Sequence, residues 1–365
     1  MQHSRRLRLL SLLALAGCGG GNGNGPPPPP QSCAPYAPTS ATAPGTLAEW
    51  CQVSLQNGEV ALKPGLLPYD LTTPLFSDTT VKRRTMWLPP GTSATYATDD
   101  VFAFPDGTVF TKSFGFRDDA RKPNPVIRWI ETRVEWKVAG QWYALSYTWD
   151  VAGTQALANP AGDTRDISFI DESGATVLAH YLVPSQTQCG QCHQQNAYVT
   201  LGTRARYLNK SFDYPSGTEN QLTHLTRLGW LTGAPADPAN APRLPVASDP
   251  ASGTVEERAR AYLDANCGFC HNPLGNARST GLVLWASETD SHKYGVCKTP
   301  VAAGGGSGGL QYDLVPGDPD HSIIPYRMNS NVPAVAMPQI GRSVVDHAGL
   351  QLVRDWISGL TGSCP

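Results

Sequence analysis

The chain has 365 residues, with 28 Lys and Arg against 30 Asp and Glu, and a formal net charge of −2. This length allows two or three domains with buried cores, and the 36 Gly and 32 Pro predict many turns and loops. A slightly acidic chain offers no electrostatic basis for binding DNA or RNA, so we expect no nucleic-acid partner.

The first residues have the pattern of an export signal. Arg5, Arg6 and Arg8 precede an apolar run over residues 9–16 that is too short to span a bilayer. The run leads into the sequence LAGC, which ends at Cys18 and resembles the lipobox of bacterial lipoproteins. That resemblance implies cleavage before Cys18 and a diacylglycerol on its thiol. A plain secretory signal with an incidental cysteine is the alternative.

The segment after Cys18 contains only Gly, Asn and Pro up to residue 30, so it cannot build a core. We therefore assign residues 1–17 to a lipoprotein signal peptide and residues 18–45 to a flexible tether. Gly19 follows the cysteine where an Asp could stand, and the sorting habit of such lipoproteins then favours the outer membrane. We expect a bacterial envelope lipoprotein that faces the periplasm and contacts the membrane through its N-terminal lipid.

Residues 46–184 predict a β-rich, sandwich-like domain. Along residues 130–138, apolar and charged side chains alternate, which indicates a half-buried strand. Its aromatic residues are expected to pack in the core and across strands rather than to form a ligand platform. Further strands are predicted at residues 101–104, 109–114, 143–149, 167–170 and 176–183.

The chain contains the pattern C-x-x-C-H twice, as a first motif at residues 189–193 and a second motif at residues 267–271. This is the attachment signature of c-type haem. Two thiols three residues apart can each add to one vinyl group of a porphyrin, and the adjacent histidine ligates the iron. The sequence therefore predicts two covalently bound haem c groups. The residues concerned are Cys189, Cys192 and His193 in the first motif, and Cys267, Cys270 and His271 in the second.

The alternative is a zinc or disulfide C-x-x-C that precedes a histidine by coincidence. Attachment of c-type haem in bacteria takes place outside the inner membrane, which agrees with the export signal. The cysteines that remain are Cys33, Cys51, Cys297 and Cys364, an even number in an oxidising compartment. We expect the disulfides Cys33–Cys51 and Cys297–Cys364, with four free thiols as the alternative.

The remaining chain divides into three predicted segments. Residues 185–233 form a first haem-binding segment, rich in loops and short helices, and residues 234–251 form a Pro- and Ala-rich linker. Residues 252–365 predict a small helical domain. Its first helix begins with a capping box between Thr254 and Glu257 and runs directly into the second motif.

The last segment resembles a class I cytochrome c domain. The resemblance rests on the helix and motif at residues 254–271, on Met337-Pro338, and on a closing helix at residues 346–360 that Asp346 can cap. It implies that terminal helices cross over the haem and that Met337, 66 residues after His271, supplies the sixth iron ligand. A thioether ligand raises the reduction potential. The alternative is a methionine that packs in the pocket without bonding the iron.

From about residue 74 onward the chain is similar to bacterial dihaem c-type cytochrome lipoproteins. That resemblance implies electron transfer without naming a substrate. The expected fold is α+β and multidomain, with the β-rich domain followed by mainly α cytochrome c-type haem domains. The similar stretches are PLFSD at residues 74–78, IETR at 130–133, NQL at 220–222, RAYLDANC at 260–267 and VPGDP at 315–319.

The sixth ligand of the first haem stays open, because no Met-Pro follows the first motif before the second. His180, His224, Met86 and Met328 are candidates, and a vacant position is another.

Three functions are compatible with these features. The favoured one is electron transfer between periplasmic or membrane redox proteins. A dihaem peroxidase-like oxidoreductase with an open first haem is the alternative, so whether the chain is an enzyme stays open. The third is a β-domain binding module with accessory haems.

Overall fold

A six-stranded antiparallel sheet dominates the computed structural model, which describes residues 33–195, 197–301 and 303–365. The spatial order of its strands is β3-β4-β6-β7-β8-β9. The strands are β1 (Val53–Gln56), β2 (Glu59–Leu62), β3 (Leu67–Tyr69), β4 (Val81–Trp87), β5 (Ala94–Thr95), β6 (Val109–Arg117), β7 (Ile127–Val138), β8 (Gln141–Trp149), β9 (Ala156–Ala158), β10 (Asp163–Ile170), β11 (Thr176–Val183), β12 (Ser211–Tyr214), β13 (Gly217–Asn220) and β14 (Leu231–Thr232).

The predicted α+β character is confirmed in its coarse form, as a mixed α/β protein with a strand-rich sheet region. Residues 34–365 belong to one compact unit. Besides the main sheet, β1–β2, β10–β11 and β12–β13 form antiparallel pairs, and β5 pairs with β14 in parallel.

Strand β7 follows the predicted alternation except at one residue. Val134 and Trp136 are fully buried on one face of the sheet. Pairing with β6 shifts between Phe114 and Gly115, so Ile130 is the extra residue of a β-bulge. It packs with Phe114 in the cluster between the main sheet and the β10–β11 hairpin. A bulge changes which face a side chain takes, and the alternation alone does not reveal it.

The prediction of a strand at residues 101–104 is wrong, because this segment makes only isolated bridges. Val101 makes a single bridge to Arg204 and Ala103 a single bridge to Thr95, while Phe102 is buried in the core. Pro105 follows directly and has no N–H to donate, so a ladder cannot continue through it.

The helices are α1 (Gln186–His193), α2 (Ala205–Leu208), α3 (Gln221–Arg227), α4 (Val255–Asn266), α5 (Ile323–Met328) and α6 (His347–Gly359). The capping box predicted for α4 is present, because Thr254 Oγ1 accepts from the Glu257 backbone and the Glu257 carboxylate accepts from the Thr254 backbone. Asp346 caps α6 through the backbone N–H of Gly349. Helix α6 packs against α4 around a cluster that includes Trp356.

The predicted signal peptide, Cys18 and the tether up to residue 32 lie outside the described residues. The later part of the predicted tether is attached to the main sheet. Trp136 donates its indole N–H to the Ser40 carbonyl at 3.0 Å, and the Tyr147 hydroxyl donates to the Pro44 carbonyl at 2.8 Å. The folded region therefore starts before residue 46.

The predicted linker also packs against the body, since Thr73 Oγ1 donates to the Pro245 carbonyl at 3.1 Å. The Cys297–Cys364 disulfide is confirmed, and Cys33 and Cys51 are disulfide-bonded as well. In the part of the chain that is described, no helix is long and apolar enough to cross a membrane.

Candidate functional site

Helix α4 leads the second motif into a cavity of about 400 Å³, named here the second cavity. Cys267, Cys270 and His271 line it together with Met328 and Met337. Small-molecule sites commonly have volumes of about 300–1,000 Å³. The predicted site residues of the second motif and its predicted methionine ligand therefore share one cavity of suitable size.

The hydrogen bonds of His271 decide which ring nitrogen can bind a metal. Its Nδ1 lies 3.2 Å from Thr280 Oγ1, whose own proton is donated to the Ala277 carbonyl at 2.7 Å. The hydroxyl can then only accept from the ring, so Nδ1 carries the proton and Nε2 keeps its lone pair. Burial, together with the charges of Arg327 and Lys298, lowers the pKa of His271 to about 4. The imidazole is therefore neutral near pH 7, the form that ligates metals.

The first motif lies in helix α1, which packs against β8. Ser185 caps this helix by accepting a hydrogen bond from the backbone N–H of Gln188. Cys189 and Cys192 are three residues apart on the helix and share a face. With His193 they line a separate cavity, named here the first cavity.

His193 has the same arrangement as His271 with a different partner. Its Nδ1 lies 2.8 Å from the Val199 carbonyl, which can only accept, so Nδ1 donates and Nε2 keeps the lone pair. The Tyr198 ring stacks on the imidazole with the centroids 4.8 Å apart. Glu135 Oε2 lies 3.7 Å from the same Nδ1. Burial lowers the pKa of His193 to about 3, so this ring is also neutral near pH 7.

The four thiols of the motifs are free, in contrast to the four disulfide-bonded cysteines elsewhere in the described chain. Burial raises the pKa of Cys189 to about 11 and that of Cys267 and of Cys270 to about 12. Burial likewise raises the pKa of Cys192. All four are therefore protonated thiols near pH 7, the species that adds across a vinyl group.

The polar face of the main sheet forms part of the wall of the first cavity. The strand register places Arg84, Lys112 and Arg133 side by side on β4, β6 and β7. Arg84 pairs with Asp70 at 2.7 Å and Arg133 pairs with Glu131 at 2.6 Å. Lys112 forms no side-chain hydrogen bond or ion pair with any described residue. The row of three cations thus contains one that lacks a protein counter-charge.

Several buried polar atoms around the first cavity have no hydrogen-bond partner among the described residues. They are Nε and Nη2 of Arg84, Oε2 of Glu135 and the hydroxyl of Tyr198. Buried polar groups are normally paired, so this wall is suited to a ligand with its own polar groups. A haem fits this chemistry, because an Arg fork binds carboxylates such as the propionates. The first cavity has a volume of only about 80 Å³, so its lining must move apart to admit a porphyrin.

The two cavities are neighbours. Cys192, Phe269, Pro338 and Ile340 line both of them. The first motif also contacts the chain just after the second motif, because the Asn276 side chain donates Nδ2 to the Gly190 and Gln191 carbonyls at 3.0 Å each. Cys270 Sγ lies 3.4 Å from the Gln191 carbonyl. Groups bound at the two motifs would therefore be held next to each other.

None of the four candidates for the sixth ligand of the first haem lines the first cavity. His180 is exposed and pairs with an aspartate at 2.6 Å. His224 is buried, and its Nδ1 lies 2.6 Å from Glu219 Oε2 where β13 meets α3. Met86 is a core residue with 1% exposure, and Met328 lines the second cavity instead.

The PLFSD stretch, noted in the sequence only for its resemblance, has a structural role. Phe76 lines the first cavity and donates its backbone N–H to Asn266 Oδ1, 2.7 Å away at the end of α4. Asp78 is buried and accepts from Ser343 N at 2.6 Å, Ser343 Oγ at 2.9 Å and Val344 N at 3.0 Å. These bonds hold the segment that follows Met337 against the sheet region.

Sequence reasoning also missed Lys112, Glu135 and Phe269. A signal for the first was present, because Lys112 is the one charged residue in the otherwise uncharged stretch at residues 108–116. Within the described residues, no three His, Cys, Asp or Glu side chains are grouped as ligands of a single ion.

No protein-family model matches the chain. No curated protein and no solved structure matches it either. Membership of the cytochrome family stays a prediction that rests on the residues quoted above.

Proposed function

We propose that this chain is a dihaem c-type cytochrome that transfers electrons. The observation that carries the proposal is the pair of adjacent cavities. Each contains two protonated free thiols and a neutral histidine whose Nε2 keeps its lone pair. A haem iron in each cavity would supply one-electron redox chemistry.

The residues divide the work of holding the two haems. Cys189 and Cys192 would form the thioether bonds of the first haem, and Cys267 and Cys270 those of the second. The Nδ1 hydrogen bonds of the two histidines orient each ring, which is the usual way in which an outer partner fixes a ligating imidazole. Met337 is the proposed sixth ligand of the second haem, since it lines that cavity together with His271.

The shared wall supports electron transfer between the two sites. Phe269 and Cys192 contribute to both cavities, and the Asn276 side chain, just after the second motif, bonds the backbone of the first. The sheet supplies wall residues of the first cavity, including Lys112 and Glu135. This arrangement supports a role for the sheet as part of the haem site rather than as a separable binding module.

The proposed setting is the bacterial cell envelope. A lipid on Cys18 would attach the protein to a membrane, with the folded part in the periplasm. The residue after Cys18 favours the outer membrane over the inner one. Its partners would be periplasmic or membrane redox proteins, which exchange electrons with one haem at a time.

Haem stoichiometry tests the proposal directly. The full chain should be produced in bacteria that attach c-type haem, and assayed as the pyridine haemochrome. We expect two covalent haems per chain, and about one in each of the double variants C189A/C192A and C267A/C270A, because thioether bonds need both motif thiols. The matched control is C297A/C364A, which removes two disulfide cysteines and should keep both haems.

A wild-type chain without covalent haem would overturn the proposal. A dihaem chain whose reduced form turns over peroxide faster than it exchanges electrons with a redox mediator would instead support the peroxidase-like alternative.

A further inference from the structure

We propose that Lys112 is the sixth iron ligand of the first haem. The inference rests on the proposed function, and it concerns a residue that has no role among the predictions made from the sequence. The described lining of the first cavity contains one histidine, His193, and no methionine.

Few side chains of the first cavity could donate a lone pair to an iron. Nitrogen-bearing side chains in the lining, apart from His193, belong to Arg84, Lys112, Arg133 and Gln188. Arginine stays protonated in proteins and an amide nitrogen is a poor donor, whereas a lysine amine is a strong donor once it is neutral.

The oxygen-bearing side chains are worse placed. Tyr198 stacks on the His193 ring, and Glu135 lies 3.7 Å from its Nδ1, so both lie against the imidazole rather than beyond Nε2. Burial raises the pKa of Tyr69 far above its usual value, which keeps its phenol protonated. These groups therefore cannot readily occupy the position opposite His193.

Lys112 differs from the two arginines beside it in its electrostatic surroundings. Its neighbours on the sheet, Arg84 and Arg133, have their own carboxylate partners, whereas Lys112 has none among the residues that the structure describes. Burial, with the charges of Arg84 and Arg133, lowers the pKa of Lys112 to about 7, against weaker opposing effects of Glu135 and Glu131. The amine is thus easily neutralised, and ligation requires only that the ammonium proton leaves to solvent.

The competing role for Lys112 is a charge partner of a haem propionate. Arg84 is the better candidate for that role, because Nε and Nη2 of its guanidinium are buried without partners. Two adjacent N–H donors bind a carboxylate in a fork. With the propionate assigned to Arg84, the amine of Lys112 remains for the iron.

The test uses the full chain with both haems attached and compares Lys112→Arg with Lys82→Arg. Lys82 is the matched control, because it lies on the same sheet face beside Phe114 but bonds the Leu75 carbonyl and does not line the cavity. Arginine keeps the positive charge that the competing role needs and cannot ligate, so the substitution separates ligation from charge pairing. The measurements are ferric electron paramagnetic resonance and near-infrared magnetic circular dichroism.

We expect a wild-type protein with both haems low-spin and an amine–imidazole signature for one of them. In K112R about half of the ferric iron should become high-spin, since one haem of two is affected. K82R should match the wild type. The Met337 sulfur signature of the second haem reports in each sample whether the variant is folded.

Two results would overturn the inference: a first haem that is already high-spin in the wild type, or one that stays low-spin in a folded K112R. Should K112R fail to fold, the wild-type near-infrared signature decides alone, and a bis-imidazole or sulfur signature at the first haem would exclude lysine. Loss of covalent haem from the wild type would overturn the proposed function itself, and the haemochrome assay shows it before any spin state is measured.

Discussion

The two C-x-x-C-H motifs share one five-residue pattern but lie in different structural surroundings. The second lies at the end of α4, in a helical frame with two methionines in a cavity of about 400 Å³. The first lies on α1 against the sheet, in a cavity of about 80 Å³ with charged side chains in its wall. Axial ligands and local polarity set the potential of a haem, so matching motifs do not imply matching haems.

Under the proposed function this difference gives the electrons a direction. A sulfur ligand favours ferrous iron and would raise the potential of the second haem, whereas an amine ligand, as inferred for Lys112, would favour ferric iron at the first. We therefore expect electrons to pass from the first haem to the second. Single substitutions can change one side of this comparison at a time.

The largest effect is expected from Met337→Leu, a substitution that keeps the volume and removes the sulfur. The potential of the second haem should fall by roughly 0.1–0.3 V, within the ~0.8 V range that axial ligands span, and the sulfur-to-iron absorption band should disappear. A redox titration followed optically measures both. Met328→Leu, in the same cavity, is the control and should keep the band. A band lost in M328L and kept in M337L would exchange the roles of the two methionines.

The next effect concerns the link between the two sites. Asp78 is 1% exposed, has a φ of 51°, and accepts three hydrogen bonds from residues 343 and 344. In Asp78→Ala these donors lose their acceptor and an alanine must take a left-handed conformation. The free energy of unfolding should fall by about 3 kcal/mol.

Urea denaturation measures this loss. Ser343→Ala removes only the hydroxyl bond and should cost about 1 kcal/mol. The sulfur signature of the second haem should weaken in D78A, because the segment after Met337 is released. An unchanged signature together with an unchanged stability would show that Asp78 does not hold this segment.

The sequence predicted the two sites unequally, for a physical reason. The second site is local in its pattern: Thr254 and Glu257 start a helix, the helix runs into the motif, and Asp346 starts the helix that packs on it. Capping and periodicity report such short-range features. The disulfide between Cys297 and Cys364 was predicted because these cysteines remain once the motif cysteines are assigned to haem.

The first site depends on contacts that are distant in the sequence. Alternation along β7 correctly predicted two faces, but it could not show that the polar face, with Arg133 and Glu135, lies beside a helix that begins at Gln186. The same limit applies to Asp78, whose partners lie more than 260 residues away. Periodicity describes a strand and leaves open what covers it.

The smallest effect tests how each histidine is oriented. His271 donates to the side chain of Thr280, whereas His193 donates to a backbone carbonyl that no substitution removes. Thr280→Val should leave Nδ1 of His271 unpaired and reduce its electron donation, which raises the potential of the second haem. Loss of such an outer partner typically changes metal affinity or activity about tenfold. A tenfold change in an equilibrium constant corresponds to about 60 mV for one electron.

Optical redox titration resolves a shift of this size. Val199→Ala is the control for the first haem, because it keeps the carbonyl and should leave both potentials in place. A shift confined to the second haem in T280V would show that the same motif is tuned independently at the two sites. Equal shifts of both haems would show instead that the two sites respond as one unit, and a fall in potential would contradict the assigned donor role of Nδ1.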